Sequence, residues 1–333
     1  MPSAIEVSGL VKRFPRGVLA LDGVSFDVER GTVFGLLGPN GAGKTTVVRI
    51  LTTILRPDEG GAKVLGRDVV REPELVRSLF GLAGQYAAVD ENLTGRENLR
   101  MVGRLNHLPR PVVATRSKEL LDQFELTDAA DRTLKTYSGG MRRRLDLAAA
   151  LVARPEVLFL DEPTTGLDPP ARIGLWGVIE GLVETGTTVL LTTQYLEEAD
   201  RLASRVAVVD HGRVIAEGTP AALKADLGAT VLEVGLSDAD TAARAAQLLE
   251  SVSAKRPRVL GNDVELPADG GAAVATDALR ALDRAGIVPL RFSLREPSLD
   301  DVFLTLTGHA AEERTAASSA PSSAPSSTAR ERS

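Results

Sequence analysis

The sequence predicts an α/β protein with a largely parallel sheet, an antiparallel β subdomain and a helical insert. Short apolar runs show no polar alternation, which is typical of strands buried on both faces. Segments of helical periodicity, such as 44–55 and 175–184, lie between these runs, as expected when helices connect parallel strands. Residues 5–28 alternate more and favour antiparallel strands. The apolar runs are 33–37, 157–160, 189–191 and 206–209.

The other elements suggest how the chain is divided. From about 86 to 152 strand signals stop and helical periodicity takes over, which predicts an all-helical insert inside a first domain at 1–221. Residues 222–309 alternate short strands with two helical stretches, which predicts a small accessory α+β domain. Residues 310–333 are rich in Ser, Ala and Pro and have no apolar face, so we expect a disordered tail.

Length and composition limit the possible functions. A chain of 333 residues has room for about two domains at roughly 100 to 200 residues each. A net charge of −6 argues against a nucleic-acid binder, which is typically basic. The absence of cysteine excludes disulfides, thiolate metal sites and cysteine nucleophiles, and fits a reducing cytosol. No run reaches the roughly 18 apolar residues of a membrane-spanning helix. Arginine supplies 32 of the 39 basic residues, which suggests a GC-rich bacterial genome.

A glycine-rich loop follows the apolar run at 33–37 and begins a helix. Residues 38–45, GPNGAGKT, fit the phosphate-loop pattern G-x-x-x-x-G-K-[ST] in this strand-to-helix context. Its N–H groups can surround a β-phosphate, Lys44 can neutralise the β- and γ-oxygens, and Thr45 can ligate Mg²⁺. The cofactors indicated are ATP and Mg²⁺. The expected phosphate-binding residues are Gly38, Pro39, Asn40, Gly41, Ala42, Gly43, Lys44, Thr45 and Thr46.

Two acidic residues end the apolar run at 157–160. Acids just past a strand are often turn or cap residues, but next to a phosphate loop a functional role is favoured. Asp161 is expected to hold Mg²⁺, directly or through water, and Glu162 to polarise the attacking water as general base.

Further motifs narrow the family. Together with the phosphate loop and the acidic pair, they resemble the motifs of ATP-binding-cassette (ABC) ATPases over about 5–220. The resemblance implies a P-loop ATPase fold of the ABC type. It places Gln85 and Lys44 at the reaction centre. It also makes Gln85 a Mg²⁺ ligand. It also makes Phe14 an adenine platform, although Phe14 could instead be a core residue. The added motifs are Phe14, Gln85, Ser138-Gly139-Gly140 and Thr165-Gly166-Leu167-Asp168.

The Ser138-Gly139-Gly140 signature has a physical interpretation. Ser138 can cap a helix that runs on through 142–152 and so present free N–H groups to an anion. The resemblance implies that Ser138 and Gly140 reach the γ-phosphate bound by a second copy, so that two ATP molecules join a head-to-tail dimer. The motif at 165–168 corresponds to the D-loop of the family, and we expect its Asp168 to belong to the same nucleotide site.

The chain departs from the family pattern at two places. Tyr137 and Met141 flank the signature where Leu and Gln are more usual, which alters packing but keeps Ser-Gly-Gly. Gln194 stands where the family usually has a switch histidine. Glutamine can donate a hydrogen bond to a γ-phosphate but cannot titrate. We therefore expect retained ATP binding, with hydrolysis that depends on Glu162.

Longer runs resemble the daunorubicin/doxorubicin-resistance exporter subfamily. They include QYLEEAD at 194–200, the stretches 85–99 and 139–147, and PSLDDVFL at 297–304. The resemblance implies a separate membrane permease, which binds a hydrophobic drug or antibiotic as cargo, and a location at the cytoplasmic face of the cell membrane. The helical insert would contact the permease, with Gln85 and 93–99 as candidates.

Other functions remain open. An importer-type ATPase has the same fold and would need a periplasmic binding protein. A non-transport ABC ATPase acting on ribosomes or nucleic acid usually carries two cassettes or a long coiled coil, and this sequence has one phosphate loop and no heptad stretch. A generic P-loop kinase would not need the signature and D-loop.

Two charged segments have no assigned role. Arg142, Arg143 and Arg144 are consecutive, so on a helix they point in three directions, and a solvated or salt-bridged role is expected. In 297–304, Leu299, Val302 and Phe303 have helical spacing, which predicts a packing motif with two exposed acids that serves assembly and stability.

Overall fold

The computed structural model describes residues 3–84, 89–225, 230–253, 256–268, 270–295 and 298–306, which form three β-sheets. The strands are β1 (Ser3–Phe14), β2 (Val18–Glu29), β3 (Val33–Leu37), β4 (Glu59–Val64), β5 (Arg67–Asp68), β6 (Phe80–Ala83), β7 (Val157–Asp161), β8 (Thr188–Thr193), β9 (Arg205–Asp210), β10 (Arg213–Gly218), β11 (Val231–Gly235), β12 (Arg258–Leu260), β13 (Asp263–Pro267) and β14 (Arg291–Arg295). The helices are α1 (Lys44–Leu51), α2 (Pro73–Arg77), α3 (Gly95–Leu105), α4 (Arg110–Gln123), α5 (Gly139–Ala150), α6 (Pro169–Glu184), α7 (Leu196–Leu202), α8 (Pro220–Ala225), α9 (Ala239–Leu249) and α10 (Ala272–Arg284).

The central sheet has the order β10-β9-β3-β8-β7-β6, and its strands are parallel except for the edge strand β10. Every residue of β3, β7 and β8 is buried. In β3, Val33 and Leu37 belong to one apolar cluster while Phe34 and Leu36 belong to another. Because successive side chains enter cores on opposite faces, both sets must be apolar. This confirms the predicted α/β class.

The antiparallel sheet has the order β2-β1-β4-β5, as expected from the alternation in residues 5–28. Its apolar face covers one face of the parallel sheet. Phe26 of β2 stacks on Phe34 of β3 with ring centroids 5.1 Å apart. The core between the two sheets also takes in the apolar side of α1.

Helices fill the described part of the chain between β6 and β7. Thr94 begins α3 with a capping box, because its side chain accepts from the Glu97 N–H while the Glu97 carboxylate accepts from the Thr94 N–H. The buried Tyr137 hydroxyl donates to the Ala129 carbonyl at 2.7 Å. A Cβ on Gly95 would collide with that hydroxyl. Glycine at 95 therefore makes room for Tyr137, which stands where the family more often has leucine.

Helices α9 and α10 pack on the antiparallel sheet β12-β13-β11-β14 around small residues such as Ala242 and Ala278. A final helix, 299–306, follows β14. Its Leu299 and Val302 are buried in the cluster that also holds Val206 and Val208 of the parallel sheet. The C-terminal helix therefore contacts the core of the first part of the chain.

The expectation of two exposed acids in 297–304 is wrong for Asp301. Asp300 is exposed, but Asp301 is 4% exposed. Asp301 accepts from the N–H and hydroxyl of Ser298, at 2.8 and 2.9 Å, and pairs with Arg295 at 2.6 Å. Burial alone would raise the pKa of Asp301, but these hydrogen bonds hold its pKa at about 2. Pro297 lies outside the described residues.

No helix formed by the described ranges is long and apolar enough to cross a membrane.

We predict that Asp301→Ala lowers the free energy of unfolding by about 3 kcal/mol, because it leaves Arg295 beside Glu265 without its second carboxylate. Denaturant unfolding of the full chain at pH 7 measures this change. Asp300→Ala is the matched control and should stay within about 0.5 kcal/mol of wild type. The contribution of Asp301 is present above its ordinary pKa of 3.8 and is lost as the pH falls through about 2. Equal losses in the two variants would contradict the assignment.

Candidate functional site

The polar residues singled out in the sequence meet where β3, β7 and β8 end. Asp161 lies beside Thr192 across β7 and β8, and Thr192 lies beside Leu36 across β8 and β3. The three carboxyl ends therefore lie at one edge of the sheet, which is where ligands bind in open α/β folds.

The phosphate loop connects β3 to α1 at this edge. Gly43 is the N-cap of α1 and has φ 110°, a conformation that favours glycine. A Cβ there would lie 2.6 Å from the carbonyl oxygen of Ala20. Pro39, Asn40 and Gly41 are exposed at the tip of the loop. Free N–H groups and the positive end of α1 are thus available to an anion.

The Lys44 side chain folds back into the loop and is 4% exposed. Its Nζ donates to the carbonyls of Gly38 and Pro39, at 2.7 and 3.1 Å, and lies 3.5 Å from Oε1 of Glu162. Burial lowers the pKa of Lys44, and the Glu162 carboxylate opposes that change. The ammonium group is held among acceptors that phosphate oxygens could replace.

Asp161 stands beside two hydroxyl groups. Thr45 Oγ1 donates to Asp161 Oδ1 at 3.2 Å, and Thr192 Oγ1 donates to the same oxygen at 2.5 Å. The Thr45 hydroxyl and the Asp161 carboxylate are oxygen ligands of the kind that Mg²⁺ prefers. Thr192 was not among the predicted site residues. The available signal was a hydroxyl residue directly after the apolar run 189–191.

Glu162 has an unusual backbone conformation with φ 51°. Its N–H donates to the carbonyl and the hydroxyl of Thr192, at 3.0 and 3.2 Å. Its carboxylate accepts from Thr165 Oγ1 at 3.4 Å and faces Lys44. A non-glycine residue in this region costs about 1–3 kcal/mol. The chain accepts that cost where it turns a buried carboxylate towards the phosphate loop.

The two glutamines have different positions. Gln194 is half-buried and lies two residues beyond Thr192, so it extends from the same sheet edge. Gln85 lies outside the described residues. Its neighbour Gly84 follows β6, whose last residue Ala83 pairs with Leu160 of β7. Gly84 therefore lies at the edge that holds the phosphate loop, and Gln85 is the next residue in sequence.

The signature begins α5, and the predicted cap is confirmed. Ser138 Oγ accepts from the Met141 N–H at 3.3 Å, and Ser138 and Gly139 are exposed. Asp168 caps α6 in the same way, through the Ala171 N–H at 3.0 Å. A Cβ on Gly140 would lie 3.2 Å from the Ala171 side chain, so the two helix starts approach closely.

A groove of about 620 Å³ lies between the signature and the D-loop. Its lining includes Ser138, Gly140 and Asp168 but no residue of the phosphate loop. Among the described residues, Lys44, Asp161 and Glu162 thus form one group, and Ser138, Gly140 and Asp168 form another.

Phe14 is half-buried at the end of β1, with the Lys12 ammonium 5.9 Å from its ring centroid.

Comparison with known proteins adds a family relationship. Residues 21–165 match the ABC transporter family, and residues 218–307 match the ATP-binding protein DrrA1-3-like, C-terminal domain. The chain is 53% identical over 317 residues to the daunorubicin/doxorubicin resistance ATP-binding protein DrrA of Streptomyces peucetius, covering 93% of this chain and 94% of that protein. It is 46% identical over 320 residues to the doxorubicin resistance ATP-binding protein DrrA of Mycobacterium tuberculosis (strain ATCC 25618 / H37Rv), covering 94% and 96%.

Solved structures extend the comparison to the fold. A structure described as the ATP binding subunit of an ABC transporter superposes with a TM-score of 0.61 at 28% identity. The match covers 67% of this chain and 93% of that one.

We predict that Thr192→Val weakens Mg²⁺-dependent nucleotide binding about tenfold, because one hydroxyl serves both Asp161 and the Glu162 N–H, and a lost hydrogen bond costs about 1–1.5 kcal/mol. Titration of a fluorescent nucleotide with and without Mg²⁺ measures the effect. Thr188→Val is the matched control, since Thr188 accepts from the Gly31 N–H at 2.9 Å at the other end of β8. A similar weakening in both variants would count against a specific role for Thr192.

Proposed function

Because the chain belongs to the ATP-binding-cassette transporter family, we propose that it hydrolyses ATP to drive a separate membrane permease that exports a hydrophobic drug or antibiotic. The observation that supports this most is the Lys44, Asp161 and Glu162 cluster at the sheet edge, with the signature groove apart from it.

In the proposed site the phosphate chain lies over 38–46 at the N-terminus of α1. Lys44 exchanges its loop carbonyls for β- and γ-phosphate oxygens. Thr45 and Asp161, with Gln85, would hold Mg²⁺, which neutralises charge on the phosphates. Phe14 is the proposed platform for the adenine ring.

Glu162 is the proposed general base. Its carboxylate is 7% exposed and close to Lys44, so a water between it and the γ-phosphate would be oriented and would give up its proton to it. Gln194, extending from β8, would donate its amide N–H to the γ-phosphate. Since glutamine carries no titrating proton, Glu162 takes the proton without help from this residue.

The signature would complete the site of a second copy. Ser138 and Gly139 are exposed at the start of the 12-residue α5, whose first N–H groups are suited to an anion. An isologous two-fold arrangement would place each signature, with Asp168 nearby, over the phosphate loop of the partner. ATP would then favour the closed dimer, and hydrolysis would release it.

The permease would contact the helical segment around α3. Within the proposed range 93–99, Gly95, Asn98 and Leu99 are buried, so they are excluded as direct contacts. Leu93 and Glu97 remain accessible. Binding to a permease would hold this chain at the cytoplasmic face of the membrane.

Two alternatives use the same chemistry. An importer-type ATPase would also bind a permease but would depend on a periplasmic binding protein. A non-transport ABC ATPase would bind ribosomes or nucleic acid. The similarity to drug-resistance proteins along both parts of the chain favours the exporter.

The partner separates these functions. The tagged chain is recovered from detergent-solubilised native membranes and its ATPase rate is measured, with Glu162→Gln as the inactive control. We expect a multi-helix permease and Glu162-dependent turnover. Recovery of ribosomes or DNA without a membrane protein would contradict the transport function, and recovery of a periplasmic binding protein would favour the importer.

Glu162 and Gln194 have different expected contributions to the rate of hydrolysis. Glu162→Gln should lower kcat by at least about 100-fold, the usual contribution of a general base, while nucleotide binding stays near wild type. Gln194→His should keep kcat within about tenfold of wild type, because either side chain can donate to the γ-phosphate. Steady-state phosphate release measures both. A larger loss in Gln194→His would mean that the site requires glutamine.

A further inference from the structure

The three consecutive arginines of α5 have different surroundings. Arg142 pairs with Glu91 at 2.9 Å and Arg144 pairs with Glu125 at 3.0 Å, and both arginines are partly exposed. All three arginines are salt-bridged, as expected. Arg143 differs from the other two because its side chain is 12% exposed and its partner, Asp146, is buried.

The Arg143 guanidinium joins three segments. Nε donates to the Pro163 carbonyl at 2.6 Å and Nη1 donates to the Gly84 carbonyl at 2.5 Å. Nη1 also donates to Asp146, one turn along α5, at 3.1 Å. Pro163 directly follows Glu162, and Gly84 directly precedes Gln85. One side chain on the signature helix therefore holds the backbone beside both residues.

Buried carboxylates offset part of the cost of placing this arginine inside the protein. Burial lowers the pKa of Arg143, while Asp146, Glu198 and Asp161 oppose that change. The Asp146 side chain is 1% exposed, so it is a buried counter-ion. The planar guanidinium reaches two carbonyls and a carboxylate at fixed angles, which a lysine ammonium on a flexible stem cannot reproduce.

We propose that Arg143 is a positioning residue for hydrolysis. It fixes α5, which begins at the Ser138 signature, against the carbonyls of Gly84 and Pro163, and Pro163 directly follows Glu162. Docking of a partner's nucleotide on the signature is thereby linked to the position of the general base. This inference rests on the proposed roles of Ser138 and Glu162.

Arg143→Lys tests the inference because it keeps the positive charge and removes the planar guanidinium with its several N–H donors. We expect kcat for ATP to fall roughly tenfold or more, as small misplacements of reacting groups do, with KM within twofold. Arg142→Lys is the matched control on the same helix and should stay within twofold in both constants. A purely structural role would lower Tm but leave the kcat of the folded enzyme unchanged.

A second variant tests the buried counter-ion, and hydrogen exchange separates a local effect from misfolding. Asp146→Asn leaves Arg143 in place and removes its buried counter-ion, so kcat should fall in the same direction by a smaller factor. Amide hydrogen exchange of the nucleotide-free chain should be faster in peptides over 81–84 and 164–168 in Arg143→Lys than in Arg142→Lys.

The outcomes separate the two proposals. Glu162-dependent turnover in wild type with an unchanged kcat in Arg143→Lys would overturn the positioning role and leave the ATPase intact. Turnover that does not depend on Glu162 would overturn the proposed role of Glu162 as general base, on which this inference rests. In that case, unchanged hydrogen exchange in Arg143→Lys would also show that Arg143 does not hold the segments at Gly84 and Pro163 in place.

Discussion

The parallel pairing of β3, β8 and β7 is the constraint on which the site depends. Their register places Leu36, Thr192 and Asp161 in one row, so the phosphate loop and the acidic pair begin at the same level. Both faces of these strands are buried, which fixes the register because a slip by one residue would exchange the two cores. The distances among the polar groups thus follow from apolar packing below them.

The same packing makes the charges interdependent. Lys44 and Glu162 are both almost fully buried and lie 3.5 Å apart, so each charge offsets part of the cost of burying the other. Nucleotide phosphates would give Lys44 new partners and free the Glu162 carboxylate to contact water. The site is therefore suited to exchange one set of charge partners for another at little net cost.

Local patterns reveal part of this arrangement. Apolar runs without alternation indicate buried parallel strands, and the phosphate loop at 38–45 is recognisable because backbone geometry dictates its glycines and lysine. Contacts between distant segments leave no such pattern. Arg143 is one of three equivalent arginines in sequence, and only the approach of Gly84 and Pro163 distinguishes it. Asp301 resembles a surface acid until Arg295 is seen beside it, although the Ser298 to Asp301 spacing was a capping signal.

The final helix connects the two parts of the chain through different chemistry on each side. Leu299 and Val302 enter the apolar cluster of the parallel sheet, with Phe303 packed against it. Asp301 faces the C-terminal sheet through Arg295 of β14, which also pairs with Glu265 of β13. The Arg295–Asp301 pair is bidentate, so it adds a constraint on the orientation of the C-terminal sheet to the apolar contacts of Leu299 and Val302. A packing motif that seemed suited to assembly between chains thus acts first within one chain. Any effect of the C-terminal sheet on a partner would therefore depend on this internal connection.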